Sequence, residues 1–326
     1  MPSGTMRPLD RAGERSLSDA AIPGAALELL DRLPPLPGLT ARESALIYLA
    51  VLFRIAGYDQ LRELLFKGQN TAAVRKCARV LEERGWLQRW NASISKVGRI
   101  GHVHPTARAL SSALDAIEGS IATEPWARAV ALMLPASGRR ALMLVRPVPK
   151  WFAHQREINH LITRAICATG SRTVWASSWE CPFPERVGMF DMPQPDYVLI
   201  QSGADGPHLI FGEHDRGTEP IERFVERKVA LYSGLAAFPD ACAEMFGMAR
   251  FAVQVSVLDS RRRAPIARLT ELLDATRTFG APPIFRFTLA GWQHAYAREP
   301  IWFTAENPPR RGSARWQDHA GLCGPS

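Results

Sequence analysis

Two short runs of this sequence put carboxylates where an apolar strand does not ordinarily carry charge. Asp196 heads the run Asp196-Tyr197-Val198-Leu199-Ile200, and Leu209-Ile210-Phe211-Gly212-Glu213-His214-Asp215 closes on two acids one residue apart. A charge buried in a strand is costly unless it is paired, so acids in these positions need a chemical reason. Side chains alternate along a strand, which sends Glu213 and Asp215 to one face and His214 to the other. If the two strands are neighbours, Asp196, Glu213 and Asp215 converge. Three carboxylates repel one another and call for a cation, and an all-oxygen set suits Mg²⁺ or Mn²⁺ rather than zinc. Such an ion could activate water and stabilise a phosphoryl transition state. Downstream, Ile221, Phe224, Val225, Lys228, Val229 and Tyr232 share one helical stripe. Lys228 is thereby turned inward, where an ammonium needs a carboxylate or a phosphate as partner.

The neighbouring polar residues read more plainly. Glu157 shares a helix face with His160 and Arg164 and can form a surface pair there. His154 and His160 are expected as solvated or capping residues. Arg216-Gly217-Thr218 reads as a strand-to-helix turn in which Gly217 supplies backbone freedom and Thr218 caps the helix, with a phosphate contact by Arg216 as the alternative. Glu180, before Cys181-Pro182, is expected in a turn, and Arg261-Arg262-Arg263 in a solvated loop or as an extension of a basic surface. The five cysteines stand far apart, without zinc spacing, and Cys77 and Cys167 fall on apolar helix faces as small hydrophobes.

These groups need a scaffold. A helix is expected from Trp151 to Cys167, with Ile158, Leu161, Ile162 and Ile166 inward. Strands follow at Arg172–Trp179, Asp196–Gln201 and His208–His214, then a helix over Glu219–Leu235, a strand over Phe251–Leu258, a helix over Pro265–Thr276 and a strand over Ile284–Leu289. Upstream, Thr40 and Glu43 form a capping box for a first helix carrying Ala45, Leu46, Leu49, Leu52 and Phe53 until Gly57 stops it. Leu61, Leu64 and Leu65 mark a second helix, and a third begins with Thr71 as its N-cap. Val74, Cys77, Ala78 and Leu81 line its inward side and leave Arg75, Lys76 and Arg79 exposed near its start. A β-hairpin follows, from Trp86–Trp90 through a turn around Asn91 to Ile94–His104, with Lys96 and Arg99 near its tip and His102 and His104 as ordinary strand residues. Three helices and a hairpin in this order are the layout of a winged helix-turn-helix. The basic residues, and Thr71 beside them, would contact phosphates and base edges of DNA. A small helical domain with a solvated basic face, or a dimerisation module, is the other reading.

The fold class is therefore α/β (α+β): a flexible segment over 1–38, a winged helix-turn-helix over 39–120, a mixed β-sheet flanked by helices over 121–305, and a flexible tail over 306–326. The chain has 326 residues, 46% hydrophobic and 22% charged, enough for a sizeable core. Its formal net charge of +8 suggests an anionic partner, nucleic acid first. No apolar run of about 18 residues is present and the amino terminus lacks the pattern of a signal peptide, so a cytoplasmic protein with no membrane partner is expected.

Pro195-Asp196, the run Phe211-Gly212-Glu213-His214-Asp215-Arg216-Gly217-Thr218-Glu219, Lys228 and Tyr232 together resemble the replication-relaxation family of plasmid and mobile-element proteins. The preceding winged helix is similar to that family's layout, and the resemblance runs from residue 40 to residue 260. More distantly, the same residues resemble the PD-(D/E)XK nuclease fold, whose metal site is formed by an Asp, a Glu and a Lys, with an acid on the first helix. The resemblance implies that Asp196 is the first acid, Glu213 the second and Glu157 the helix acid. This chain departs from the pattern at Asp215, where a lysine is expected. Lys228 could supply that group from the helix, or Asp215 could pair with Arg216 or Lys228. The function implied is a DNA-binding protein acting in replication, relaxation or DNA processing, with metal-dependent nicking. Other replication or mobilisation proteins are candidate partners, as is a second copy of the chain in a homodimer, and the sequence does not fix the oligomeric state. The alternatives are a catalytically silent DNA-binding regulator and a metal-dependent enzyme on a small anionic substrate. The latter has no glycine-rich phosphate loop to support it.

Overall fold

The computed structural model describes residues 30 to 290, apart from 31, 95–97, 134–151, 170–172, 178–185, 188, 204–205 and 259–264, and also residue 304. Helix α1 (Ala41–Phe53) begins in the expected capping box, with the Glu43 N–H donating to Thr40 Oγ1 at 3.3 Å and the Thr40 N–H donating to Glu43 Oε2 at 2.8 Å. Every residue from Ser44 to Phe53 is buried, so α1 is a central helix rather than an amphipathic one. It ends at Phe53, earlier than the sequence suggests, because Arg54 adopts a positive φ of 58°. Gly57 lies instead in a two-residue strand, β1 (Ala56–Gly57), leading into α2 (Tyr58–Leu65).

Helix α3 (Thr71–Glu83) is capped by Asn70 and not by Thr71: Asn70 Oδ1 accepts from the N–H groups of Ala72 and Ala73 at 3.0 and 3.3 Å. Strands β2 (Leu87–Ile94) and β3 (Gly98–Pro105) form an antiparallel hairpin whose β3 also pairs with β1. Asn91 lies inside β2, paired with Gly101 of β3, and not in the turn expected around it. Helices α4 (Ala107–Ile121) and α5 (Ala127–Met133) follow.

The second half opens with α6 (Phe152–Thr169) and builds a five-stranded mixed sheet from β4 (Thr173–Ser177), β7 (Tyr197–Gly203), β8 (Gly206–Asp215), β9 (Phe251–Val257) and β10 (Phe285–Leu289). Between β4 and β7 lies a small antiparallel ladder, β5 (Arg186–Val187) with β6 (Phe190–Asp191). In the main sheet the order is β10-β9-β8-β7-β4; β4, β7 and β8 run antiparallel to one another in turn, whereas β8, β9 and β10 are parallel. Helix α7 (221–236) contains one turn widened to π geometry over Val225–Val229. A further helix, α8 (Pro239–Phe246), goes beyond the elements expected from the sequence; Pro239 starts it and Gly247, at φ 72°, stops it. Helix α9 (Pro265–Phe279) completes the layer. The architecture is α+β, with α6 on one face of the mixed sheet and α7 and α9 on the other.

One continuous apolar core joins both halves and takes in Leu30, Leu33 and Leu36, ahead of the residue-39 boundary read from the sequence. The joint is α6. Asn159, fully buried, donates to the carbonyls of Phe53 and Ile55 at 3.2 and 2.5 Å, and Gln60 donates to the carbonyl of Arg156 at 3.2 Å. Arg156 pairs with Asp59 at 2.7 Å, and His160 faces the same carboxylate at 3.4 Å. The Phe152 ring stands edge-on to Trp90 and His102, with centroids 4.8 and 4.6 Å apart, so α6 rests directly on the hairpin. His160 is therefore an interface residue and not a solvated one, and burial pushes its imidazole down to about 4. Among the described residues no helix is long and apolar enough to cross a membrane.

Candidate functional site

Strands β7 and β8 are hydrogen-bonded neighbours, as the convergence of acids requires, and the Asp196 N–H donates to the Gly212 carbonyl at 2.9 Å. Tyr197 lies across Gly212 so closely that a Cβ there would sit 2.0 Å from the Tyr197 ring, which is why a glycine precedes Glu213. The alternation read from the sequence holds. Glu213 and Asp215 make their contacts with α7 and α9, whereas His214 points to α6.

Glu213 is almost fully buried and its two oxygens are both engaged. Tyr232 donates its hydroxyl to Oε1 at 2.6 Å, and Lys228 Nζ lies 2.7 Å from Oε2 while donating to the Gln194 carbonyl at 2.6 Å. Lys228 thus turns inward as its stripe requires, and it does so from the π turn of α7, a local widening often found at functional sites. Burial raises the Glu213 carboxyl to about 7, helped by the nearby Asp196 charge, with Lys228 and Tyr232 only partly offsetting it. Burial acts to lower Lys228, but the Glu213 and Asp196 charges outweigh it and hold the ammonium above its usual value.

Asp215 does not join Glu213. Its carboxylate is taken by Arg268, with Nε to Oδ2 at 2.8 Å and Nη2 to Oδ1 at 3.2 Å, and Oδ1 also accepts from the Gly217 N–H at 3.1 Å. Both side chains are about as inaccessible as the surrounding core, and Arg268 is further satisfied by the Glu219 carbonyl at 2.7 Å. The pairing expected with Arg216 or Lys228 is therefore replaced by a buried, two-point pair with α9. Arg268 is not among the residues expected from the sequence, although it falls in the stripe of Leu269, Leu272, Leu273 and Thr276, where a guanidinium demands a buried acid.

Asp196, a quarter exposed, sits between the two faces. Its Oδ1 lies 3.1 Å from His154 Nε2, and its Oδ2 accepts the His214 N–H at 2.6 Å. Burial pushes the carboxyl up, but His154, Lys228 and the His214 N–H together hold it below the usual range. Glu157 Oε2 is 3.1 Å from both His214 Nε2 and Arg216 Nε, rather than paired with His160 and Arg164. Burial raises that carboxyl and these partners lower it by more. His154, expected as a solvated or capping residue, stacks on His214 with ring centroids 5.6 Å apart and planes 20° from parallel. Gly217 takes the left-handed φ of 67° that its turn needs, but α7 has Pro220 and not Thr218 at its N-cap position.

Asp196, Glu213, His154, Arg216 and Lys228 line one cleft of about 300 Å³. On α3, Arg75, Lys76 and Arg79 are placed as expected, facing away from the core; Arg79 makes a 3.7 Å pair with Glu83. Thr71 is half-buried in the first turn. Arg99 lies in β3, while Lys96, Glu180, Cys181 and Arg261–Arg263 lie outside the described residues. His102 is buried, and it shares β3 with His104, whose imidazole burial pushes below its usual value. Cys77 is half-buried against the core and Cys167 is exposed, contrary to its expected place on an apolar face.

No curated protein and no solved structure matches the chain. A family model described as replication-relaxation does match it, over residues 51–248. That match covers more than half of the chain and runs from within α1 past α8, taking in the hairpin, α6, both acid-bearing strands and the helix that carries Lys228 and Tyr232. The chain belongs to the replication-relaxation family.

Proposed function

We propose that this protein binds DNA of a plasmid or mobile element through a winged helix-turn-helix formed by α1–α3 and the β2–β3 hairpin. We further propose that Asp196, Glu213 and Lys228 form a PD-(D/E)XK-like site that nicks the bound strand during replication or relaxation. One observation carries the cleavage reading: Lys228 Nζ lies 2.7 Å from Glu213 Oε2 in a cleft that Asp196 also lines. Two acids and a lysine then come together even though position 215 holds no lysine.

The donor set fits a hard divalent ion at Asp196 and Glu213. Each of their oxygens meets one protein group, and a carboxylate oxygen has room for two partners. Asp215, with both oxygens held by Arg268, does not fit as a third ligand. Mg²⁺ or Mn²⁺, when bound, would supply Lewis-acid stabilisation and a more acidic water. Lys228 would hold an anionic phosphate oxygen beside Glu213, and Tyr232 keeps the Glu213 carboxylate from turning away. Arg75, Lys76 and Arg79 would bind backbone phosphates, consistent with the charge of +8.

A binding-only regulator is the second reading, favoured by the engagement of every Asp196 and Glu213 oxygen with a protein group. Duplex retention in low salt with an Asp196→Ala, Glu213→Ala variant tests the binding half. Retention equal to wild type, with release as salt rises, is expected. A wild-type protein that passes through unretained contradicts DNA binding.

A further inference from the structure

On the α6 side of β8, across the strand from Glu213, the structure brings together His154, Glu157 and His214, each offering one ligand atom within 4.8 Å of the others. We infer that these three residues form a binding site for a first-row transition ion such as Zn²⁺, adjacent to the carboxylate–lysine pair and touching it where His154 Nε2 lies 3.1 Å from Asp196 Oδ1. Two imidazole nitrogens and one carboxylate oxygen, with the remaining positions open, form a ligand set typical of such ions and foreign to Mg²⁺.

The hydrogen bonding of His214 points the same way. Its ring is enclosed, Nδ1 lies 3.2 Å from the Ser256 carbonyl, and Nε2 lies 3.1 Å from Glu157 Oε2. A carbonyl can only accept, so Nδ1 carries the proton, the arrangement by which a backbone carbonyl fixes a metal-binding histidine. Nε2 is then aimed at a carboxylate oxygen. Only a second proton or a metal ion makes that approach favourable. Ligands about 2.0–2.2 Å from a shared ion in tetrahedral or octahedral geometry stand roughly 3.0–3.4 Å apart, so the His214–Glu157 separation already matches. His154 stacks on His214, which brings a second imidazole to the same place. Its Nδ1 is buried and has no hydrogen-bond partner among the described residues.

The site has sequence logic as well. His154 and Glu157 are three apart on α6, hence on one face, and His214 reaches them from β8. Arg216 shares Glu157 Oε2 and would have to release it or share the carboxylate when an ion binds. The inference does not rest on DNA cleavage.

Metal-stripped full-length protein titrated with Zn²⁺ against a chromophoric chelator, and with Co²⁺ by visible absorption, tests it. One tightly held ion per chain is expected, apart from weaker uptake at Asp196 and Glu213. Glu157→Gln and His154→Phe should each weaken this tight Zn²⁺ binding by more than the roughly 10- to 100-fold that losing a group behind a ligand costs, with unchanged far-ultraviolet dichroism, while Glu213→Gln leaves it intact. Absence of saturable binding would overturn the proposal, as would affinity abolished in Glu213→Gln and retained in the other two variants.

Discussion

Asp215 stands two residues after Glu213 on the same face of β8, yet it is bound to Arg268 at 2.8 and 3.2 Å while Glu213 is bound to Lys228. Two neighbouring buried acids have thus been given two separate cations, one from α9 and one from the π turn of α7. The position two residues after Glu213 is thus occupied by a structural ion pair, and the ammonium facing Glu213 comes from α7.

Removing one member of the α9 pair leaves a charge stranded in the core. Arg268→Met is expected to destabilise the fold by about 3–5 kcal/mol, read as a lowered urea midpoint. The double variant Arg268→Met, Asp215→Asn should recover much of that stability. Equal destabilisation in single and double variants would mean that Arg268 acts through packing alone.

Glu213 makes stability depend on pH with a definite sign. Its folded carboxyl is raised to about 7, above the unfolded value of about 4.3. The folded state therefore holds more protons in that window, and the contribution is complete below it and lost as pH rises through 7. His160, lowered to about 4, acts in the opposite direction. Subtracting the stability curve of Glu213→Gln from wild type isolates the Glu213 part, which should fall by up to ~3 kcal/mol between about pH 4.5 and 7.5. A flat difference curve would contradict the burial effect.

Asn159 is the hinge pin between α6 and the end of α1, since its amide satisfies two carbonyls at once. Asn159→Leu, similar in size, should cost about 1–3 kcal/mol through those unsatisfied groups. Thermal unfolding measures it, and a neutral result would show that α6 does not need this joint.

On the DNA side, replacing Arg75, Lys76 and Arg79 by alanine should flatten the dependence of log affinity on log salt by about 0.9 for each phosphate no longer neutralised. Fluorescence anisotropy across a salt series gives the slope. An unchanged slope would place the DNA elsewhere on the protein.

Much of this arrangement is legible in the sequence because local periodicity encodes it. The capping box at Thr40, the strand alternation at Glu213-His214-Asp215 and the inward stripe of Lys228 depend on neighbours in the chain. What escapes depends on distant partners. Arg268 meets Asp215 from another helix, and His154 and Glu157 meet His214 only because α6 crosses the strand end. The N-cap shifts by one residue because Asn70 and Thr71 can both cap, and only backbone geometry chooses between them. Helix α8 is hidden because only Cys242 and Phe246 among its residues are buried, too thin a stripe to read as periodic.

Cleavage is tested most directly by nicking of supercoiled plasmid, with Mg²⁺ or Mn²⁺, by wild type, Lys228→Met and the Asp196→Ala, Glu213→Ala variant. Wild type is expected to nick the plasmid in a way that EDTA abolishes, and both variants to lack nicking while still shifting the plasmid on a gel. Plasmid bound but left intact by wild type at every metal concentration would contradict cleavage and leave the binding-only regulator.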